Sequence, residues 1–282
     1  MIRSSPELCR RLSSIGILDD NKLGLSETAL ILAGAERPGI DSRVYQRHLE
    51  KLTDDVASYA GKEANNETNG IQIRIEALQQ IIAKRYGYGG SDDAYENFEC
   101  TNLMRVIDRR DGLPTLLGII YLHIARALGW TMDGIDFPPR FLIRIEFSGE
   151  RKILDPFCGG RILEPFDLRG LYKAVSGPHV EITPEHTMAM TNRAIILRSQ
   201  RNAKVLHLRS DDIEQALDVV DTLLLIAPKN PALWREAGIL NARLNRVREA
   251  VAALEEFLSH AGSDASSYRT SILLQELRER LN

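Results

Sequence analysis

The chain has 282 residues, 44% hydrophobic and 27% charged, enough apolar material for one large globular domain or two ordinary ones. Its net charge is −3 and evenly spread, with no basic pole suited to nucleic acid and no acidic tail. Cys9, Cys100 and Cys158 are far apart and odd in number, indicating neither a disulfide framework nor a zinc site; a reducing, cytoplasmic setting without metal or other cofactor is expected.

The start, Met1 to Arg11, is charged with no apolar stretch behind it, and no run approaches the ~20 apolar residues that span a bilayer, so no membrane role is expected. Ser26 is placed to cap a helix through Ala29, Leu30, Leu32 and Ala33 that ends before Pro38-Gly39. Asp41 is placed to cap a second, with Val44, Leu49, Leu52, Val56 and Tyr59 on one face. A polar loop from Gly61 to Gly70 leads to a third helix, marked by Ile71, Ile75, Leu78, Ile81 and Ile82, which stops at Tyr86-Gly87-Tyr88-Gly89-Gly90.

Leu103, Val106 and Ile107 predict a short helix before Arg109-Arg110-Asp111-Gly112. Pro114 suits the first position of the next helix, which is apolar almost all round from Leu116 to Leu128 and ends at Gly129, so it is expected to be buried on most faces. Phe141 to Phe147 and Lys152 to Pro156 read as a hairpin turning at Gly149-Glu150, and 164–174 reads as helix. From there the tail is helical. Ala216 and Ala250 lie 34 residues apart, the tetratricopeptide period. With Trp234 as the fourth position of a repeat, Gly238, Ala250 and Leu254 fall where it wants small, small and bulky residues; one period upstream Ala216, Val220 and Pro228 fit and Gln200 and Lys204 do not. An ordinary helical hairpin extension is the alternative.

Residues 102–134 (NLMRVIDRRDGLPTLLGIIYLHIARALGWTMDG), FPPRFLIRIE, ILDPFCGG and NPALWREAGIL together resemble the SirB-type branch of bacterial transglutaminase-like proteins, which join such a core to tetratricopeptide-like repeats. The resemblance implies an α+β fold: a degenerate transglutaminase-like, papain-like core with a helical N-terminal lobe (1–186), followed by all-α TPR-like helical hairpins (187–282). In active members a Cys starts the buried helix, a His opens the next strand and an Asp precedes Pro on the strand after, so that the helix N-terminus lowers the thiol pKa, the His takes its proton and the Asp holds the imidazole. Here Pro114 stands at the nucleophile position, Arg140 at the base position, and Asp155 is retained. Proline has no nucleophile, and a guanidinium stays protonated. An Arg140–Asp155 ion pair in the old cleft is the expected remnant.

The resemblance therefore implies a non-catalytic scaffold, adaptor or regulatory protein, a pseudoenzyme, that takes a protein or peptide partner through the TPR-like region and the degenerate cleft; no oligomeric state follows. The alternative is a hydrolase or acyltransferase (cysteine protease, amidase or transglutaminase-like) with relocated groups, for which Thr115 and Cys158 are the candidate nucleophiles and His179 and His186 the candidate bases. His123 reads as a core or edge histidine, and Cys100, where relatives tend to carry Asn, as a partly buried thiol. Arg109, Arg110 and Asp111, with Arg140 and Asp155, are the candidate binding residues: at the rim of the cleft beside a helix N-terminus the arginines would suit a carboxylate or phosphate, and the competing reading is a solvated turn.

Overall fold

The structure, a computed structural model, describes residues 5–260 and 265–281. The chain forms two compact units, Gly24–Ser199 and a helical one made of Met1–Leu23 with Gln200–Asn282. The architecture is the expected α+β core followed by an all-helical region.

Helix α1 (Pro6–Gly16) starts under a Ser5 cap whose hydroxyl accepts from the Leu8 N–H at 3.2 Å. Then come α2 (Leu25–Ala35), α3 (Arg43–Ala60) and α4 (Gly70–Leu78), which passes directly into a π-helical stretch, Gln79–Arg85. Asp41 does not cap α3: Ser42 stands at the N-cap and no side chain caps the helix, while the Asp41 carboxylate accepts from the Arg43 N–H at 3.0 Å one residue earlier, in the turn that leads in. Ser26 does not cap: it lies inside α2 and its hydroxyl bonds the His123 imidazole at 2.8 Å. The buried face of α3 is also shifted. Tyr45, Leu49, Leu52, Val56 and Ala60 point inward, while Val44 and Tyr59 are exposed, because a 3.6-residue period admits either neighbour at the ends of the stripe and contact with the core selects one.

Short α5 (Leu103–Arg109) leads to α6 (Pro114–Ala127). Eleven of the fourteen residues of α6, Pro114 to Tyr121 among them, are buried. Four antiparallel strands follow in sequential order, β1 (Thr131–Asp136), β2 (Phe141–Phe147), β3 (Glu150–Asp155) and β4 (Arg161–Leu163), and then α7 (Pro165–Ser176). The β2–β3 hairpin was expected; β1 and β4 were not. The sheet and α6 meet at Phe141, whose ring fits between two glycines: a Cβ on Gly118 would stand 2.3 Å from it and one on Gly134 2.6 Å. Arg74, only 5% exposed, lies 3.7 Å from the Phe147 ring centre and 5.2 Å from that of Trp130, and donates to the Ala64 carbonyl at 2.9 Å, tying the 61–70 loop to α4. Trp130 is buried, in keeping with a core role.

The tail forms α8 (Asn192–Arg209), α9 (Ile213–Ile226), α10 (Pro231–Arg243), α11 (Val247–His260) and α12 (Ala265–Glu279). Ala216, Val220, Ala250 and Leu254 are fully buried. A Cβ on Gly238 would stand 2.3 Å from Leu254, so the small residue expected there does let α10 and α11 approach closely. The compact units part between Ser199 and Gln200, inside α8, and residues 5–23 fall with the helical unit. There α1 packs on α9 so tightly that a Cβ on Gly16 would reach 2.2 Å from the Leu225 carbonyl oxygen.

Two glycine substitutions should separate packing from helix propensity. Gly118→Ala drives a methyl group into Phe141 and is expected to destabilise by about 1–3 kcal/mol. Gly170→Ala, on an exposed turn of α7 with nothing within 4 Å, is expected to stabilise by about 0.5–1 kcal/mol. Urea unfolding midpoints measure both.

Candidate functional site

Helix α6 opens with Pro114 at its first position, where the missing N–H removes no hydrogen bond. Leu113 before it is buried against Ala94 and Cys100, with Phe157 packed on the cluster. In the β2–β3 hairpin Ile143 pairs with Leu154, so the entry to β2 and the exit from β3 come side by side at one edge. That register brings Arg140 to Asp155.

The Arg140 Nη1 donates to Asp155 Oδ2 at 2.7 Å, and the Phe157 N–H donates to Oδ1 at 2.9 Å. The Asp155 side chain is 3% exposed and that of Arg140 26%. Burial opposes the Arg140 charge, but the hydrogen bond and charge of Asp155 outweigh it and hold the guanidinium pKa above its ordinary value. Its carbon lies 5.2 Å from the Phe157 ring centre, and the Tyr95 ring is 5.9 Å from the same ring. Arg140 therefore serves as a fixed cation whose carboxylate partner is already engaged.

The exposed Cys158 thiol sits 3.6 Å from Arg140 Nη1. Burial by its neighbours, with the Asp155 charge, pushes its pKa up, the opposite of what an activated thiol needs. Thr115 is 7% exposed on the first turn of α6. Among the described residues no imidazole hydrogen-bonds Asp155, Cys158 or Thr115. His123 is bonded to Ser26, as suits a satisfied edge histidine, and His186 packs 4.6 Å from the Tyr172 ring and accepts from the Thr183 N–H at 3.0 Å. Beneath the site the Tyr121 hydroxyl, buried on α6, has no hydrogen-bond partner; burial and the Asp155 charge raise its pKa.

The Arg109-Arg110-Asp111 run is dispersed. Arg109 is exposed. Asp111 accepts from the Ser91 N–H at 2.9 Å and the Ser91 hydroxyl at 2.7 Å, with the Cys100 thiol at 3.5 Å. Cys100 is fully buried, which with that carboxylate pushes its pKa up to about 12. Arg110 caps α5 in a left-handed conformation (φ +65°) and reaches His48 Nε2 at 2.8 Å and the Tyr88 hydroxyl, which itself lies 2.9 Å from His48. Of this cluster only Arg110 is marked in the sequence as a candidate binding residue. His48 lies in the polar part of the α3 pattern, and only the left-handed turn at Arg110 brings the groups together. Among the described residues no group of three or more His, Cys, Asp or Glu could hold a metal ion, and no helix is long and apolar enough to cross a membrane.

An all-round buried helix under a short antiparallel sheet, with a carboxylate where β3 ends and helical hairpins in the tail, defines a papain-like α+β class joined to repeats. The model of the transglutaminase-like superfamily matches residues 43–201 and that of the tetratricopeptide repeat matches 203–275. The chain belongs to the transglutaminase-like superfamily and, with it, to the UPF0162 proteins of bacteria. It is 30% identical to a UPF0162 protein of Vibrio cholerae over 88% of this chain and 90% of the relative, and 28% identical to one of Xylella fastidiosa (strain Temecula1) over 87% of each. Similarity to Protein SirB1 of Salmonella typhimurium is 27%, over 72% of this chain and 77% of that one. No solved structure matches the chain significantly.

Two predictions follow the geometry. Arg140→Gln strands a buried carboxylate and should cost about 1.5–3 kcal/mol. In an Asp155→Asn background the same change should cost much less, a difference that a double-mutant cycle in urea reads directly. His48 is depressed from 6.5 to about 4, by burial first and the Arg110 charge second. The unfolded chain therefore binds the extra proton between those values, and stability falls as pH drops from about 6.5 towards 4. His48→Gln should flatten that part of the stability–pH curve relative to the parent.

Proposed function

We propose that the chain is a non-catalytic interaction protein, a pseudoenzyme core carrying a repeat region that holds a protein or peptide partner. The Arg140–Asp155 pair carries the reading. A general base must accept a proton, and a guanidinium that stays protonated has no lone pair with which to accept one. The acceptor that would orient an imidazole is filled by Arg140 at 2.7 Å. Pro114 supplies no nucleophile. The Cys158 thiol, raised and without an imidazole bonded to it, is poorly suited to take over.

Tetratricopeptide repeats stack helical hairpins into extended concave surfaces, which suits the tail to binding a partner's segment. The expected division, partner recognition in 187–282 and a structural or peptide-holding core in 1–186, belongs to this proposal. A cytoplasmic setting belongs to this proposal too, in line with three widely spaced cysteines, odd in number, that suggest no disulfide framework. In the cleft, Arg140 and Asp155 act as a structural clip between the strand ends.

The test is turnover. Pure full-length protein should show neither amide hydrolysis nor acyl transfer on glutamine and peptide ester substrates above the rate of an Asp155→Asn variant. Turnover abolished by Cys158→Ser or Thr115→Val would instead establish the rival enzyme with relocated groups.

A further inference from the structure

The helical unit contains a groove of about 570 Å3 between α9, α10 and α11. Its floor is made of small residues, Ala237, Ala252 and Ala253, so the space is wide enough for a side chain to enter. Trp234 forms one wall, its ring fixed by a 2.7 Å hydrogen bond from Nε1 to the Pro228 carbonyl. Three carboxylates line it, Asp221, Glu249 and Glu256. The cation of the lining, Arg246, is held by Glu214 at 2.5 Å.

Among the described residues Asp221 and Glu249 have neither a hydrogen bond nor an ion pair. Asn241 is 7% exposed and lines the groove; its Nδ2 donates to the Ala237 carbonyl at 2.9 Å, which leaves Oδ1 without a donor. Glu256 has a loose contact with His260 at 3.5 Å. Desolvation in the groove, with the Asp218 charge, pushes the Asp221 carboxyl up to about 6 against the opposing attraction of Arg246, so a further cation would relieve it. A groove that offers acceptors and an aromatic wall, with its own cation already paired, favours a ligand made of donors and positive charge.

We infer that this groove takes a lysine- or arginine-bearing segment of a partner protein, the cation meeting Asp221 and Glu249 beside the Trp234 ring and a backbone N–H meeting Asn241 Oδ1. The inference rests on the reading that the repeat region is the partner-binding half, and it adds the chemistry of the partner.

The probes are two acetylated, amidated nonapeptides, one alternating alanine with lysine and the other alanine with glutamate, titrated calorimetrically into the full chain at low salt. The lysine peptide should bind at least about tenfold tighter than the glutamate peptide, and its affinity should fall as salt is raised. Asp221→Asn and Glu249→Gln, both exposed positions that should leave the fold intact, are each expected to weaken it severalfold, and the pair about tenfold or more. Unchanged affinity in the double variant overturns the proposal. So does glutamate-peptide binding of equal or greater strength, although a peptide seated in the groove would leave the partner-binding reading standing. No saturable binding by either peptide overturns the groove as a docking site. Turnover by the pure chain would overturn the non-catalytic reading and leave these titrations unaffected.

Discussion

Helix α6 has almost no wet face, and the 24–199 unit is organised around covering it. A helix apolar on every side cannot rest on one partner; it needs α2 and α3 against it on one flank and the sheet on the other. The closeness of that contact depends on Phe141, which occupies the space left by two missing Cβ atoms at Gly118 and Gly134. Once Phe141 is fixed, β2 is fixed in register, and the residue before it, Arg140, has one place to go. The sequential antiparallel order then sets the end of β3 next to the start of β2. The Arg140–Asp155 contact is thus a consequence of how the core covers α6.

Much of this could be read in the sequence because the signals are local and long. Pro114 and Gly129 bracket α6, and fourteen residues carry its pattern. The β2–β3 hairpin shows in alternation around Gly149. Strand β1 does not, because Thr-Met-Asp-Gly-Ile-Asp has neither alternation nor strong strand propensity and is extended by pairing with β2. Strand β4 is three residues long and falls below any periodic signal. The π-helical stretch at 79–85 leaves no compositional trace either. The pairing of α1 with α9 joins opposite ends of the chain, so no window of sequence contains it.

At the site, residue types were legible and directions were not. Pro114, Arg140 and Asp155 could be placed by resemblance because each marks the end of a recognisable element. The three charges at 109–111 looked like one rim and are three separate environments, because the left-handed residue at 110 turns consecutive side chains apart. Asp111 closes a loop through Ser91, and Arg110 joins His48 and Tyr88. A sequence-level reading of a charge run assumes that neighbours share a face, and one positive φ removes that assumption.

The two units use charge differently, and this bears on where recognition can occur. In the 24–199 unit Arg140 is engaged by Asp155, Arg110 by His48 and Tyr88, and Arg37 by Asp108 at 2.7 Å and Tyr45. Those groups are engaged by internal partners, so an incoming anion would have to compete with a carboxylate or an imidazole that the fold holds in place. The groove on α9, α10 and α11 is built the other way. Its cation is paired with Glu214, while Asp221, Glu249 and Asn241 Oδ1 keep their acceptors open. Unpaired acceptors in a partly desolvated groove cost the free protein stability, and a ligand that brings donors recovers that cost on binding. On physical grounds the helical unit, more than the Arg140–Asp155 site, offers solvent-accessible acceptors from which specificity can be made.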